Sequence, residues 1–544
     1  MTSTGQAAAR GTGLTLLTLA SAQFVMTLDS SVMNVSIATV AKDVGTTVTG
    51  IQTAITFYTL VMASFMITGG KIGQIIGRKR AFSIGLCIYS LGSLITALSP
   101  TLPVLILGWS VLEGLGAALI MPAVVALVAS NFERSARPRA YGLVASAGAI
   151  AVAAGPLIGG LFTTYLTWRL VFVGEVLICL AILVVARRLD DIEPEAGIRL
   201  DGVGTALSAS ALSLLVLAVL KSGSWGIVRP KPDAPVWLGL SPVTWLALGG
   251  AAVLVGFVTW EQRQIDRGAP ALIDPAMLRV RMLQGGLISF FFQYLLQAGL
   301  FFTIPLFLSV ALGLSAVATG VQLLPLSVTL LLAAVGVPRF FPQASPRRVV
   351  RIGFGLLLAG ILSMLGALEV GAGPEIVTVP MLLAGLGVGA LASQLGAVTV
   401  SALPDEQSGE VGGLQNTVTN LGASIGTAVA GAVLIAALTT TAVSGVTSNP
   451  AVPADLQQTA AVELESGVAF VSDADLQAAL AEAGVDQATA DAIVEENTTA
   501  RIAGLRAAML ALALVAFLAL CFNRRIPDHP VAAEPTDAPA GAPA

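Results

Sequence analysis

The run that decides the fold class lies at residues 103–129 and reads PVLILGWSVLEGLGAALIMPAVVALVA. It contains one charged residue, Glu113. Its apolar residues are continuous, whereas a strand with one polar face would show alternation. Since a helix of about 20 apolar residues crosses the hydrocarbon of a bilayer, the run predicts a transmembrane helix.

Apolar runs of this kind recur along the whole chain of 544 residues. Hydrophobic residues make up 55% and charged residues 11%, whereas soluble domains carry about 25% charged residues. In lipid, only helices and closed barrels satisfy their own backbone hydrogen bonds. Ala20-Ser21-Ala22 resembles a signal-peptide cleavage site, but the apolar run continues past it, so we expect an uncleaved first span. The predicted fold is all-α and integral to the membrane, with 14 transmembrane helices at about residues 13–40, 51–69, 81–98, 103–129, 140–165, 168–186, 203–221, 242–260, 283–310, 316–338, 349–368, 376–400, 411–438 and 502–523.

The charged and reactive residues exclude several classes of function. Lys and Arg number 28 against 32 Asp and Glu, which leaves a net charge of −4 and no basic face for nucleic acid. The single histidine, His529, and three widely spaced cysteines predict no disulfide framework, no metal site and no cofactor. The chain has no phosphate-binding GxxxxGK(S/T) loop and no visible nucleophile–base pair, so neither an ATP-driven pump nor an enzyme is expected.

The basic residues indicate how the spans cross the membrane. If the N-terminus is cytoplasmic, 21 of the 28 Lys and Arg residues fall in inward-facing segments, in agreement with the positive-inside rule. We therefore expect a multi-pass protein of the cell membrane with both termini in the cytoplasm. The spans divide into six, a pair and six. The predicted regions are a cytoplasmic N-terminus at 1–12, a six-helix bundle at 13–187, a linker with the extra pair at 188–282, a second bundle at 283–523 and a disordered cytoplasmic tail at 524–544.

One extracytoplasmic segment, residues 440–500, is strongly acidic. It carries ten acidic residues and no Lys or Arg. Ser472 and Asp475 resemble a capping box and Gly484 a helix stop, so two short helices running into the last span are expected. The segment is interpreted as a solvated surface, and the alternative is a surface that binds a partner.

Three acidic residues remain inside the predicted spans: Asp29, Glu113 and Glu175. A charge in the bilayer is costly, so an ionisable residue there is a functional hypothesis by default. Burial disfavours the charged form of a carboxyl group, which suits a group that takes up and releases protons. The three residues are therefore candidates for proton coupling, and the alternative for each is a structural acid hydrogen-bonded between helices.

Polar side chains inside the spans suggest a solute pathway. Gln293 and Gln297 share one face of span nine, with Tyr294 beside them. Further polar residues of the same kind are Asn34, Gln322, Asn416 and Asn420. Each by itself is explained by interhelical hydrogen bonding. As a set, they would suit a cavity for a mostly apolar, weakly polar solute.

Four segments form a recognisable set of motifs. They are Leu28–Val35 in span one; Gly70, Gly73, Gln74, Gly77, Arg78 and Arg80 between spans two and three; Gly155, Pro156, Gly159 and Gly160 in span five; and Trp168, Arg169 and Phe172 at the start of span six. Together they resemble the major facilitator superfamily, specifically its fourteen-span drug:proton antiporter branch. The resemblance extends over about residues 13–523.

Several positions depart from the pattern of that family. Gln74 stands where the family has an aspartate that serves a cytoplasmic charge-relay latch, which argues against a strong latch here. Trp109 and Glu113 replace the family's coupling arginine and a glutamine, and Glu175 replaces an asparagine. We hypothesise that Glu113 has become a titrating group and that Trp109 forms an aromatic wall of the substrate cavity. In the competing hypothesis, coupling is lost and the solute equilibrates passively.

The resemblance implies two six-helix bundles with inverted repeats that rock around a midplane site. It further implies a secondary transporter that exports lipophilic or cationic drugs or toxic compounds by proton antiport and alternating access. The expected partners are the bilayer, a small-molecule substrate and protons, and the sequence indicates no oligomeric state. The alternatives are export of an endogenous metabolite, an uncoupled facilitator, and a non-transporting membrane sensor.

Overall fold

The computed structural model describes residues 3–46, 48–133, 135–189, 199–231, 234–404, 407–454, 456–457 and 470–529. This part of the chain is helical and contains no β-strand, only an isolated bridge between Trp237 and Leu240. It includes 14 helices that are long and apolar enough to cross a membrane. The predicted fold class and number of spans are therefore confirmed, and the chain is a multi-pass membrane protein.

The spanning helices are α1–α13 and α15, and a short helix, α14, precedes the last of them. Their bounds are α1 Ser3–Asp43, α2 Val48–Ile76, α3 Arg78–Ala97, α4 Leu102–Asn131, α5 Arg137–Tyr165, α6 Arg169–Ala186, α7 Gly202–Trp225, α8 Pro242–Asp266, α9 Arg281–Leu306, α10 Ala316–Phe340, α11 Pro346–Ala367, α12 Thr378–Val400, α13 Ser408–Ser448, α14 Asp473–Glu482 and α15 Gln487–Cys521. The helices α1, α13 and α15 extend furthest beyond their predicted spans, because they continue past the apolar residues into polar sequence.

Two helices contain π-helical turns. Within α4 the segment Ile106–Glu113 is π-helical, and α9 continues into a π-helical turn at Phe307–Ala311. Such turns are rare and frequently lie at functional sites. The turn in α4 includes both Trp109 and Glu113, the two residues at which the motif of span four departs from the family.

The helices pack as two bundles and an extra pair. In the first bundle α1 packs on α5, and α3 packs on α4 and α6. In the second, α9 packs on α13, α12 packs on α10 and α11, and α15 packs on α11 and α13. The extra helices α7 and α8 pack on each other, and α7 also contacts α2 and α13. The pair therefore lies against the seam between the two bundles.

The bundles meet at one face of the protein, where the helix ends lie beside Lys71, Arg78 and Arg80. This face is here called the basic face. Across the seam α2 and α4 contact α13, and α5 contacts α10 and α12. A Cβ atom at Gly142 would lie 2.7 Å from the carbonyl oxygen of Ala334, which is closer than van der Waals contact allows. The absence of side chains at such glycines lets the backbones approach closely, so the seam is closed at the basic face.

At the opposite face, the acidic segment folds onto the last spanning helix. The Ser472 hydroxyl accepts a hydrogen bond from the backbone amide of Asp475 at 3.1 Å, as the predicted N-cap of α14 requires. Gly484 has a φ of +74°, as the predicted end of this helix requires. The second short helix of the prediction is the first part of α15, which enters the membrane without a break. Residues 458–469 of this segment and 530–544 of the predicted tail lie outside the described residues.

Arg501 anchors the acidic segment and generates a prediction about it. Its guanidinium is 1% exposed, donates to the carbonyl of Val471 at 3.0 Å, and pairs with Asp473. Hydrogen bonds of a charged group contribute about 1.5–3 kcal/mol each. Arg501→Met should therefore accelerate hydrogen–deuterium exchange across residues 470–482 by about tenfold or more.

Arg506 provides the matched control, since it is an exposed arginine on the same helix. Arg506→Met should leave exchange in residues 470–482 unchanged. Equal protection of this segment in the Arg501 and Arg506 variants would contradict the anchoring role.

Candidate functional site

Three buried carboxyl groups meet inside the first bundle and form what is here called the carboxyl cluster. Asp29 of α1, Glu113 of α4 and Glu175 of α6 each contribute an oxygen, and these oxygens lie within 4.8 Å of one another. Their side chains are almost fully buried. The sequence singles out each residue separately, and the fold brings them together.

Every member of the carboxyl cluster accepts a hydrogen bond from a neighbouring helix. The indole nitrogen of Trp109 donates to both oxygens of Asp29, at 2.7 and 2.9 Å. From α3, Thr96 donates to Oε1 of Glu113 at 3.1 Å and Ser93 donates to Oε2 of Glu175 at 3.3 Å. The prediction missed these two hydroxyls, although polar residues on one face of an apolar span are a usable signal.

The structure gives Trp109 a different role from the predicted wall of the substrate cavity. The ring is 1% exposed and stacks on Tyr58, with centroids 5.2 Å apart and planes 4° from parallel. A buried indole N–H needs an acceptor, and Asp29 supplies it. Trp109 therefore positions Asp29 inside the bundle and is not among the residues that line the central cavity.

Close packing of α3 against α4 fixes Glu113 in the carboxyl cluster. A Cβ atom at Gly92 would lie 2.7 Å from Cγ of Glu113, and one at Gly108 would lie 2.8 Å from the backbone nitrogen of Thr96. Neither glycine can gain a side chain without moving a helix. The carboxyl group of Glu113 is therefore held at the interface with α3.

A cavity of about 140 Å³ lies between the two bundles. Its polar lining includes four of the predicted residues, Gln293, Tyr294, Gln297 and Asn416. It also includes four polar residues that were not predicted, Gln23, Thr27, Tyr141 and Gln415. The buried oxygen Oε1 of Gln293 has no hydrogen-bond partner among the described residues. It is therefore available to a donor group on a solute.

The other predicted cavity residues lie elsewhere. Asn420 stands one helical turn beyond the lining residue Asn416 and donates to its carbonyl at 2.9 Å. Gln322 of α10 is partly buried and is not among the lining residues. Asn34 lies in α1, and its side chain is outside the described part of the chain.

The carboxyl cluster and the cavity are connected through shared helices. In α1, Gln23 and Thr27 line the cavity and Asp29 belongs to the carboxyl cluster. In α4, Met121 lines the cavity about 12 Å along the helix axis from Glu113. A change of charge in the carboxyl cluster therefore acts on helices that also form the cavity wall.

The basic face carries an ion pair that joins the two bundles. Lys71 of α2 pairs with Glu410 of α13 at 2.7 Å, and their side chains are only 10% and 8% exposed. Gly70 and Gly409, the neighbouring residues, pack backbone to backbone. The substitution of Gln74 for the family's aspartate led us to expect a weak latch, but this buried pair supplies a charged contact from a different position.

The remaining motif residues shape the same region or the first bundle. Gln74 and Arg78 are buried, Arg80 is exposed, Gly73 lies near the end of α2, and Gly77 precedes α3 with a φ of +96°.

The glycines of α5 form the contact with α1. Gly155 faces Ser31, and a Cβ atom at Gly159 would lie 3.2 Å from Cγ1 of Val32. The helix is continuous through Pro156 and Gly160. The side chain of Pro156 lies outside the described residues. This motif therefore acts as a packing seam beside Asp29.

Two six-helix bundles around a central cavity define the architecture of a secondary transporter. The sequence pattern of the Major Facilitator Superfamily matches residues 19–427. The probable actinorhodin transporter of Streptomyces coelicolor is 30% identical over 78% of this chain and 73% of its own. The multidrug efflux pump LfrA of Mycolicibacterium smegmatis is 28% identical over 94% of this chain and 96% of its own.

The fold agrees with this relationship. The crystal structure of the human organic anion transporter TETRAN matches with a TM-score of 0.56 and 13% identity, covering 96% of this chain and 100% of that chain. At that identity the likeness concerns the fold alone. This chain belongs to the Major Facilitator Superfamily and is a membrane transporter whose relatives include drug and antibiotic exporters.

The hydrogen bonds from Trp109 generate a stability prediction. Trp109→Phe keeps an aromatic ring against Tyr58 but leaves the buried Asp29 without its N–H donor. The free energy of unfolding in detergent should fall by about 1.5–3 kcal/mol, the usual contribution of a hydrogen bond to a charged group.

Trp168→Phe is the matched control. Trp168 also donates to an aspartate, Asp43, at 2.9 Å, but Asp43 is partly exposed and is paired with Arg169. Its loss should be below about 1 kcal/mol, because water and Arg169 still solvate Asp43. Equal losses in the two variants would contradict the special role of Trp109.

Proposed function

We propose that this transporter exports lipophilic or cationic drugs and toxic compounds across the cell membrane in exchange for protons, by alternating access. The observation that carries this proposal is the carboxyl cluster beside the central cavity. Within the described part of the chain, none of the ion pairs reaches these three carboxyl groups. The relative LfrA is named a multidrug efflux pump, which supports efflux as the direction of transport.

Protons and a cationic substrate compete for the same negative charge in this mechanism. A carboxylate in a low-dielectric interior attracts a cation strongly, and a protonated carboxyl group does not. Protons that enter down their gradient reduce the negative charge of the carboxyl cluster and weaken the hold on the substrate, which leaves on the outer side. Loss of the protons to the cytoplasm restores the charge and the affinity.

The basic face is the cytoplasmic face in this proposal, because basic loops are retained inside. Both termini are then cytoplasmic. The closed seam at the basic face corresponds to a conformation that is shut toward the cytoplasm. The Lys71–Glu410 pair must separate before a substrate can enter from that side.

An uncoupled facilitator is the second candidate, favoured by the absence of the family's coupling arginine at Trp109. It differs from the exporter in one measurable respect, since its substrate distribution would not respond to a pH gradient. Export of a metabolite that the cell itself makes is the third candidate.

Efflux from proteoliposomes tests the proposal, with ethidium and puromycin as probes. Asp29→Asn and Glu113→Gln should each reduce efflux driven by a pH gradient about tenfold or more, because each removes a carboxyl group of the cluster on which proton exchange depends. Glu482→Gln, which changes an exposed residue of α14, should behave as the unmodified protein. Full pH-driven efflux in both membrane variants would exclude the coupling role, and efflux independent of pH in the unmodified protein would indicate the facilitator.

The Lys71–Glu410 pair generates a second prediction. Lys71→Gln or Glu410→Gln breaks this buried ion pair, which costs about 3–5 kcal/mol and should open the basic face. Spin labels at Arg188→Cys and Gln343→Cys, both exposed sites, should then show a population at longer distance in either single variant. The exchanged pair Lys71→Glu with Glu410→Lys should restore the original distance.

Arg169→Gln is the control for this experiment, since it breaks the Asp43–Arg169 pair within one bundle at the opposite face. It should leave the distance unchanged. If the exchanged pair opens as far as the single variants, the ion pair does not hold the seam.

A further inference from the structure

We propose that the carboxyl cluster is a two-proton site, in which Glu113 and Glu175 carry the exchangeable protons and Asp29 remains a carboxylate. This inference rests on the proposed proton coupling and specifies its chemistry. It assigns the two glutamates, both departures from the family pattern, a shared role.

Electrostatic repulsion limits how many of the three carboxyl groups are charged at once. Three carboxyl groups whose oxygens lie within 4.8 Å, all nearly fully buried, are not ionised together near neutral pH without an opposing cation. Carboxyl groups at such distances share protons and titrate as one unit. One negative charge among three carboxyl groups leaves two protons in the carboxyl cluster.

The hydrogen bonds indicate which member keeps the charge. An indole nitrogen can only donate, and Trp109 donates to both oxygens of Asp29. Both oxygens are thus acceptors, as in a carboxylate. In each glutamate, by contrast, one oxygen accepts from a hydroxyl and the other, Oε2 of Glu113 or Oε1 of Glu175, has no partner among the described residues.

Those two unpartnered oxygens are where the protons belong. A protonated carboxyl group needs an acceptor for its O–H, and an oxygen of Asp29 lies within 4.8 Å of an oxygen of each glutamate. An O–H from each glutamate to Asp29 would satisfy both buried oxygens and disperse the single charge. Unpaired buried polar atoms are costly, so this arrangement explains them.

Among the described residues, the surrounding elements supply further titratable groups but no cation. Tyr58 of α2, Tyr89 of α3 and Cys179 of α6 face the carboxyl cluster and interact with all three carboxyl groups. The hydroxyls of Tyr58 and Tyr89 are buried without a hydrogen-bond partner among the described residues. Both hydroxyls lie close to Asp29 and can donate to its carboxylate, which stabilises the charge that Asp29 keeps.

Protons fit the site better than a hard metal cation does. Calcium takes six to eight oxygen ligands and magnesium a strict octahedron. Here both oxygens of Asp29 already accept from Trp109, and the glutamates leave one open oxygen each. Two open carboxyl oxygens match two protons.

A two-proton site changes the driving force available to the exporter. When two protons enter for each substrate that leaves, one pH unit supports about a 100-fold substrate gradient, compared with about tenfold for one proton. Exchange of two protons for a single monovalent cation also moves net charge inward, so the membrane potential adds to the pH gradient.

Infrared difference spectroscopy of the full chain in lipid, recorded as a function of pH, tests the proton count without a substrate. The unmodified protein should show two protonated carboxyl bands that disappear on alkaline titration. Glu113→Gln and Glu175→Gln should each lose one band, and Asp29→Asn should lose neither. Glu175→Asp should keep both bands, which shows that the site survives when the carboxyl group is retained.

Glu482→Gln, on the exposed helix α14, is the control and should show both bands unchanged. One band or none in the unmodified protein would overturn the inference, as would two bands that persist in Glu175→Gln. Displacement of the bands by calcium or magnesium at neutral pH would show a metal site and would also overturn it. A correct band count without pH-driven efflux would instead sink the proposed function, so the two failures are distinguishable.

Discussion

A charge in hydrocarbon costs about 2.5–3.5 kcal/mol or more unless another group neutralises it, and the whole structure depends on this constraint. It keeps most Lys and Arg residues in the loops and leaves long apolar helices between them. It also makes the few charged groups away from the loops informative. In the described residues, five of them form the carboxyl cluster and the Lys71–Glu410 pair, and Arg501 and Glu261 are buried elsewhere.

The carboxyl cluster and the Lys71–Glu410 pair occupy different positions relative to the two bundles. The carboxyl cluster lies within one bundle, on helices whose next turns line the central cavity. The Lys71–Glu410 pair lies between the bundles, where α2 and α13 approach each other and the extra helix α7 packs against both. The two places share a structural connection, because α2, which carries Lys71, and α4, which carries Glu113, both contact α13.

The individual members of the site were predictable to different degrees. Asp29, Glu113 and Glu175 stand out in the sequence because an acidic residue in an apolar span is costly. Such a residue is expected either to have a function or to be hydrogen-bonded between helices. Ser93 and Thr96 do not stand out, because hydroxyl residues are common in membrane helices and donate to their own backbone. Trp109 is predicted to form a cavity wall because it stands at the family's coupling-arginine position, whereas its place in the π-helical turn of α4 puts its N–H on Asp29.

The sequence by itself determined that the protein lies in a lipid bilayer, that it has 14 spans, and that three acidic residues lie inside them. Hydropathy and charge can be read from consecutive residues. Only the tertiary structure decided which of those residues meet. Contacts between helices depend on the rotation of each helix about its axis and on how closely glycines let two helices approach. Neither can be read from a local stretch of sequence. The same fold that brought three distant acids within 4.8 Å also paired Lys71 with Glu410 across the seam.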